Sequence, residues 1–174
     1  MKRNINVWQF FGFGVTSLLG TLLHFLYEWS GNSPITAVFS AVNESTWEHM
    51  KLLFFPMFIF AIIQSRLFPE RENFWCIKLR GILLGLALIP VLFYSYNGMI
   101  GKSPDFINIS IFFISAAVSY IYETRLFNKE GFPCKHPRAA FITLCVIAAS
   151  FVIFTFFTPK LAIFKDPITG TFGI

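Results

Sequence analysis

Charge is what this sequence has least of. Asp, Glu, Lys and Arg make up only 13% of its 174 residues, about half the share of a soluble domain. A surface so poor in charge does not suit water, and the soluble fold classes are set aside on that ground. Cysteine is scarce too. Cys76, Cys134 and Cys145 each lie in or beside a different apolar segment, and there is no CxxC. That spacing predicts buried, inert thiols and neither a disulfide framework nor a thiolate metal site. Long basic runs are missing, so the net charge of +5 is not the arm of a nucleic-acid binder. No internal repeat and no low-complexity stretch is found. No small-x-small cleavage site follows the first apolar run, which is longer than the core of a secretory signal, so it is read as a retained helix.

What is present is apolar bulk. Hydrophobic residues make up 55% of the chain, 24 of them Phe, and the mean hydropathy is +0.64. Long apolar runs fall at Val7–Trp29, Ser45–Phe68, Trp75–Gly98, Phe106–Phe127 and Ala139–Thr158. Each suffices to cross about 30 Å of hydrocarbon. The expected fold is all-α: one domain over residues 1–174, an integral membrane bundle of about five transmembrane helices. The piece after the first run is too short to span, and Ser33-Pro34 opens it as a helix start. It is expected to be interfacial or re-entrant. Ser45-Thr46-Trp47-Glu48 matches a capping box at the start of the second span.

Basic residues set the expected orientation. With the amino terminus inside, Lys2, Arg3, Arg66, Arg71, Lys78, Arg80, Arg125, Lys129, Lys135 and Arg138 fall on the cytoplasmic side. Only Lys51, Lys102, Lys160 and Lys165 fall outside. An odd number of spans then puts the tail, Pro159–Ile174, outside, with the protein as a multi-pass component of the cell membrane.

The ionisable residues of the outer side are concentrated. His24, Glu28, Glu44, Glu48 and His49 lie at the ends of the first two spans or in the loop between them. His24 and Glu28 are i,i+4, as are Glu44 and Glu48, so each pair shares a helix face. Imidazole with carboxylate suits a divalent metal, zinc foremost. On this reading His24, Glu28, His49 and Asp166 are metal ligands, while Glu44 and Glu48 are the catalytic carboxylates. Asn43, Tyr94, Tyr96 and Asn97 line the substrate side. Structural readings of the same residues stand beside it. Glu48 completes the Ser45 cap or pairs with Lys51 at i,i+3, and the tyrosines are interfacial anchors. A stripe of Gly12, Thr16, Gly20, His24 and Glu28 at steps of four offers small residues for close helix approach.

The stretch Leu23-His24-Phe25-Leu26-Tyr27-Glu28-Trp29-Ser30-Gly31, the stretch Val42-Asn43-Glu44-Ser45-Thr46-Trp47-Glu48-His49-Met50-Lys51-Leu52 and the ending Lys165–Ile174 resemble a family of small bacterial membrane proteins of unknown function. That resemblance spans nearly the whole chain and implies membership without a mechanism. Alkaline ceramidase-like hydrolases share only the idea of a metal between helices; this chain lacks their three metal-binding histidines.

Three functions follow as expectations. One is a metal-dependent hydrolase or transferase acting on a lipid or lipid-linked substrate. Another is a substrate-binding subunit of a small-solute transporter, and the third a structural or regulatory membrane protein. The partners expected are the bilayer, a lipid or small-molecule substrate, and a second copy of the chain or a transporter module, with no nucleic acid.

Overall fold

A computed structural model describes residues 4–101 and 103–174. Lys2, Arg3 and Lys102, used above for orientation, lie outside the described residues. Five long helices form: α1 (Ile5–Trp29), α3 (Thr46–Leu67), α4 (Phe74–Met99), α5 (Asp105–Asn128) and α6 (Pro137–Phe156). Their ends fall within a turn of the expected ones. A single helical turn, α2 (Pro34–Ala37), follows α1, and a 3-10 turn spans Ala162–Phe164 in the tail. The starts are chemically marked. Asn4 Oδ1 accepts the Asn6 N–H at 3.0 Å, Ser45 Oγ accepts the Glu48 N–H at 3.4 Å, and Pro137 opens α6.

All five helices are long and apolar enough to cross a bilayer. Helix α3 is the axis of the bundle: 61% of its most apolar stretch is buried, against 22% for α1 and for α6. It packs on α1, α4, α6 and, more lightly, α5, while α4 and α5 lie side by side. Leu53, Phe54, Met57, Ile82, Ala116 and Leu144 form the centre of the core. In α1 the small-residue stripe faces inward, with Gly12, Thr16 and Gly20 buried. A Cβ on Gly12 would overlap the rings of Phe60 and Tyr120, so the stripe brings α1 into close contact with α3 and α5. Phe10, Ile63, Val91, Ile121 and Ile142 point outward and are exposed. So broad an apolar exterior fits hydrocarbon as solvent, and the chain is built as a multi-pass membrane protein.

Two ion pairs are buried among these helices. Lys78 Nζ lies 2.6 Å from Glu123 Oε2 and 2.9 Å from Gln9 Oε1. Gln9 Nε2 donates to the same Glu123 oxygen at 2.8 Å, and Gln64 Nε2 donates to Gln9 Oε1 at 3.1 Å. The network therefore takes one residue from each of α1, α3, α4 and α5. Gly81 makes room for it, since a Cβ there would overlap the Glu123 carboxyl. Lys78 is thus a buried structural cation and not the topology determinant expected from sequence. In the second pair, Lys51 Nζ lies 2.5 Å from Glu48 Oε2 and donates to Ala37 O and Thr155 Oγ1, both at 2.9 Å. Here the expected i,i+3 pairing holds, and it ties α2 and α6 to α3.

Cys76 and Cys134 form a disulfide, which corrects the reading of all three cysteines as inert thiols; Cys145 alone is free. The two are separated by 58 positions, so no local spacing betrays them. Folding brings them together because the loop before α6 tucks Phe132 into a second apolar cluster with Phe74, Ile77 and Phe127.

Two tests follow. Lys78→Met strands a buried carboxylate and is expected to cost about 3–5 kcal/mol, with Lys78→Met/Glu123→Met recovering part of it. Thermal unfolding in detergent measures this, and an unchanged midpoint for the single variant would rule the network out as a fold determinant. Cys134→Ser is expected to cost about 2–4 kcal/mol in oxidised protein and nothing under reductant. Alkylation mapping should label only Cys145 before reduction.

Candidate metal centre

At the bundle end opposite the amino terminus, here the distal end, α1 finishes, α3 begins and the tail folds back. His24 comes from the last turns of α1, Glu44 from the loop after α2 and His49 from the first turn of α3. The loop is held by its own polar groups. Asn43 Oδ1 accepts the Ser45 N–H at 2.9 Å, and the Ser45 cap fixes the helix that follows. Glu44 is thereby presented between the two imidazoles.

His24 Nε2 is 3.5 Å from Glu44 Oε1, and His49 Nε2 is 3.6 Å from Glu44 Oε2. One donor atom from each residue fits within a mutual spacing of 4.8 Å. Both contacts are longer than a good hydrogen bond. Each taken singly is near the separation of about 3.4 Å between two ligands that sit about 2.1 Å from one tetrahedral zinc ion, and the two contacts reach different Glu44 oxygens. The side chains are 30%, 37% and 17% exposed for His24, Glu44 and His49, so the group is sheltered but reachable. His49 Nδ1 lies 3.0 Å from Ser45 O. Donating its N–H there leaves the Nε2 lone pair turned to the site, the arrangement that orients metal-bound histidines. His24 Nδ1 is buried without a hydrogen-bond partner. A cavity of about 20 Å³ lies against Glu44 and His49, walled by Thr46, Phe93, Asn108 and Phe112. That is room for about one water.

A family model described as a family of unknown function, DUF6512, matches residues 1–174. The chain belongs to that family. No curated protein and no solved structure matches it. Membership in DUF6512 carries no activity, so the chemistry rests on the geometry.

Of the residues singled out from sequence, the fold brings donor atoms of His24, Glu44 and His49 within 4.8 Å of one another, keeps Asp166 close enough to act on Glu44 by charge, and gives the others separate partners. Glu28 is exposed on α1 and is not one of the three. Glu48 faces Lys51 and also accepts the Val42 N–H at 3.2 Å, so its carboxylate serves the buried pair. Asp166 is buried in the tail, where Oδ1 accepts the N–H of Ile168 at 2.7 Å and of Thr169 at 3.2 Å. Asn43 Nδ2 donates to Gly173 O at 3.0 Å and fastens the tail across the distal end. Phe164 packs beneath it on Trp47 and Phe154. Tyr94 OH accepts from Thr46 Oγ1 at 3.4 Å, Tyr96 is half-buried, and Asn97 Oδ1 holds the Ser103 N–H at 2.9 Å. Sequence reasoning missed Ser45 O as the partner of His49, although the i,i+4 spacing from the identified cap pointed to it. It missed the Lys78–Glu123 network altogether.

Contact with the His24 imidazole, against the opposing effect of burial and with help from the His49 charge, holds the Glu44 carboxyl below its ordinary value. Burial pushes Asp166 up, but the N–H groups of Ile168 and Thr169 outweigh it and leave that carboxyl low as well. A carboxyl depressed by folding stabilises fully above its unfolded pKa, and that stability is lost as the pH falls through the folded value. In metal-free protein the unfolding midpoint should therefore drop on acidification below the ordinary carboxylate range, and Glu44→Gln should flatten this acid limb. Superimposable limbs would show that Glu44 is not coupled to folding.

Proposed function

We propose that this protein is a divalent-metal-dependent membrane enzyme, a hydrolase or transferase acting on a lipid or lipid-linked substrate, with His24, Glu44 and His49 holding the metal. The observation that carries the reading is the spacing of Glu44 from both histidines at 3.5 and 3.6 Å, on elements that meet only in the folded bundle. Two imidazoles and one carboxylate are a donor set of catalytic zinc sites, which keep a fourth position for water or substrate. The one-water cavity beside Glu44 and His49 suits that fourth position. A divalent ion held there would lower the pKa of a water and polarise a carbonyl or phosphoryl oxygen. Each Glu44 oxygen faces one histidine, at 3.5 and 3.6 Å, so Glu44 would act as a ligand to the ion.

The distal end is assigned to the outer leaflet of the cell membrane. Lys51 and Lys78 drop out of the charge comparison because both are buried in ion pairs. Arg66, Arg71, Arg80, Arg125, Lys129, Lys135 and Arg138 still oppose only Lys160 and Lys165 among the described residues, which supports an inside amino terminus. The Cys76–Cys134 bond lies at the basic end, where a reducing cytosol would open it. The charge bias is summed over several separate segments and outweighs that single bond.

Purified protein loaded with zinc and freed of excess should retain one ion per chain by elemental analysis. His24→Ala, His49→Ala and Glu44→Gln should each reduce retention to background, and Glu28→Gln should not. Absence of metal from the parent protein, or equal retention in all four variants, defeats the proposal.

A further inference from the structure

A second, larger cavity adjoins the metal centre. It has a volume of about 370 Å³ and lies between the last turns of α4, the start of α3 and the tail loop Lys165–Gly170. Its size is in the range of small-molecule sites. Thr46 and Phe93 wall both this cavity and the one-water cavity at Glu44 and His49. A group bound in the larger space therefore sits one side chain away from the trio.

The tail loop is built to hold a shape. Lys165 pairs with Phe172 in an antiparallel bridge, Asp166 N–H donates to Thr171 O at 3.0 Å, and Gly170 N–H donates to Asp166 O at 2.9 Å. Asp166 also lines the cavity, and its carboxylate accepts the N–H groups of Ile168 and Thr169. Lys165 is the cavity's one cationic side chain; it is exposed and has no acidic partner among the described residues. Thr46, Tyr94 and Thr169 add hydroxyls to the lining. Below the cavity, Leu83, Val91 and Tyr94 are exposed on α4, with Ala87 between them, at steps of four, four and three. That spacing makes one apolar strip descending from the cavity along the lipid-facing side.

We propose that this cavity binds the phosphate-ester head of the substrate, with Lys165 as the recognising cation and the α4 strip as the track for an attached chain. The inference deepens the metal-enzyme reading and rests on it for the identity of the reacting centre. An ammonium on a flexible stem is a point-charge partner for phosphate, and a divalent ion at the trio would reinforce the preference for an anion.

The test uses the full chain in detergent, with and without zinc, titrated with dihexanoyl phosphatidate, dihexanoyl phosphatidylcholine and glycerol 3-phosphate. Phosphatidate should bind, and Lys165→Gln should weaken it about tenfold, as expected for loss of one charge-assisted contact. Lys160→Gln, in the tail but outside the cavity, should bind as the parent does. Phosphatidate binding without glycerol 3-phosphate binding supports a lipid as the source of the phosphate; equal binding of both supports a soluble phosphate ester. Equal affinity for phosphatidylcholine and phosphatidate, or no loss in Lys165→Gln, overturns the inference. Zinc content measured on the same samples separates the two readings. Zinc retained with no Lys165 effect removes the anion site alone. Lys165-dependent binding in protein that retains no zinc removes the metal centre alone.

Discussion

Lys78 and Glu123 meet at 2.6 Å where α1, α3, α4 and α5 come together, and the proximal half of the bundle depends on that contact. Hydrocarbon offers no water to solvate a charge or an amide, so each such group has to find its partner inside the protein. Gln9 and Gln64 extend the pair into a network, and Gly81 is bare to admit the carboxylate. Helices that contribute one polar group each to a common knot cannot slide past one another without breaking it. The Lys51–Glu48 pair does the same at the other end, joining α2 and α6 to α3.

These two ion pairs change what the remaining polar residues can mean. Glu48 and Lys51 are consumed in structure, which leaves His24, Glu44 and His49 as the group whose polar atoms face each other without close bonds. The distal end is therefore divided by depth. The buried Glu48 carboxylate serves the fold, and the half-buried Glu44 carboxylate faces the imidazoles. The tail completes the arrangement by laying Phe164 on Trp47 and fastening Gly173 to Asn43, which places Asp166 and Lys165 around the approach to the trio.

Much of the fold was legible in advance because the bilayer imposes a simple rule of length and apolarity. The five long helices, the capped start of α3 and the inward stripe of α1 all follow from local pattern. Part of the site was legible for the same reason: His24, Glu44 and His49 stand out as ionisable groups in an apolar chain. Their companions in that reading, Glu28 and Glu48, share helix spacing with them, and spacing alone does not say which way a face turns. Lys78 reads as a topology determinant because it lies close to the start of α4. Its partner, Glu123, lies 45 positions away.

The sequence by itself determined an all-helical membrane-spanning chain, its segment boundaries and the bias of basic residues toward one end. These depend on composition and on contacts a few residues apart. The tertiary structure decided which cysteines are joined, which lysines are paired within the bundle, and which of the distal acids faces the histidines. Each of those outcomes is a contact between distant segments, set by how helices rotate to bury their polar groups, and no local spacing encodes that rotation.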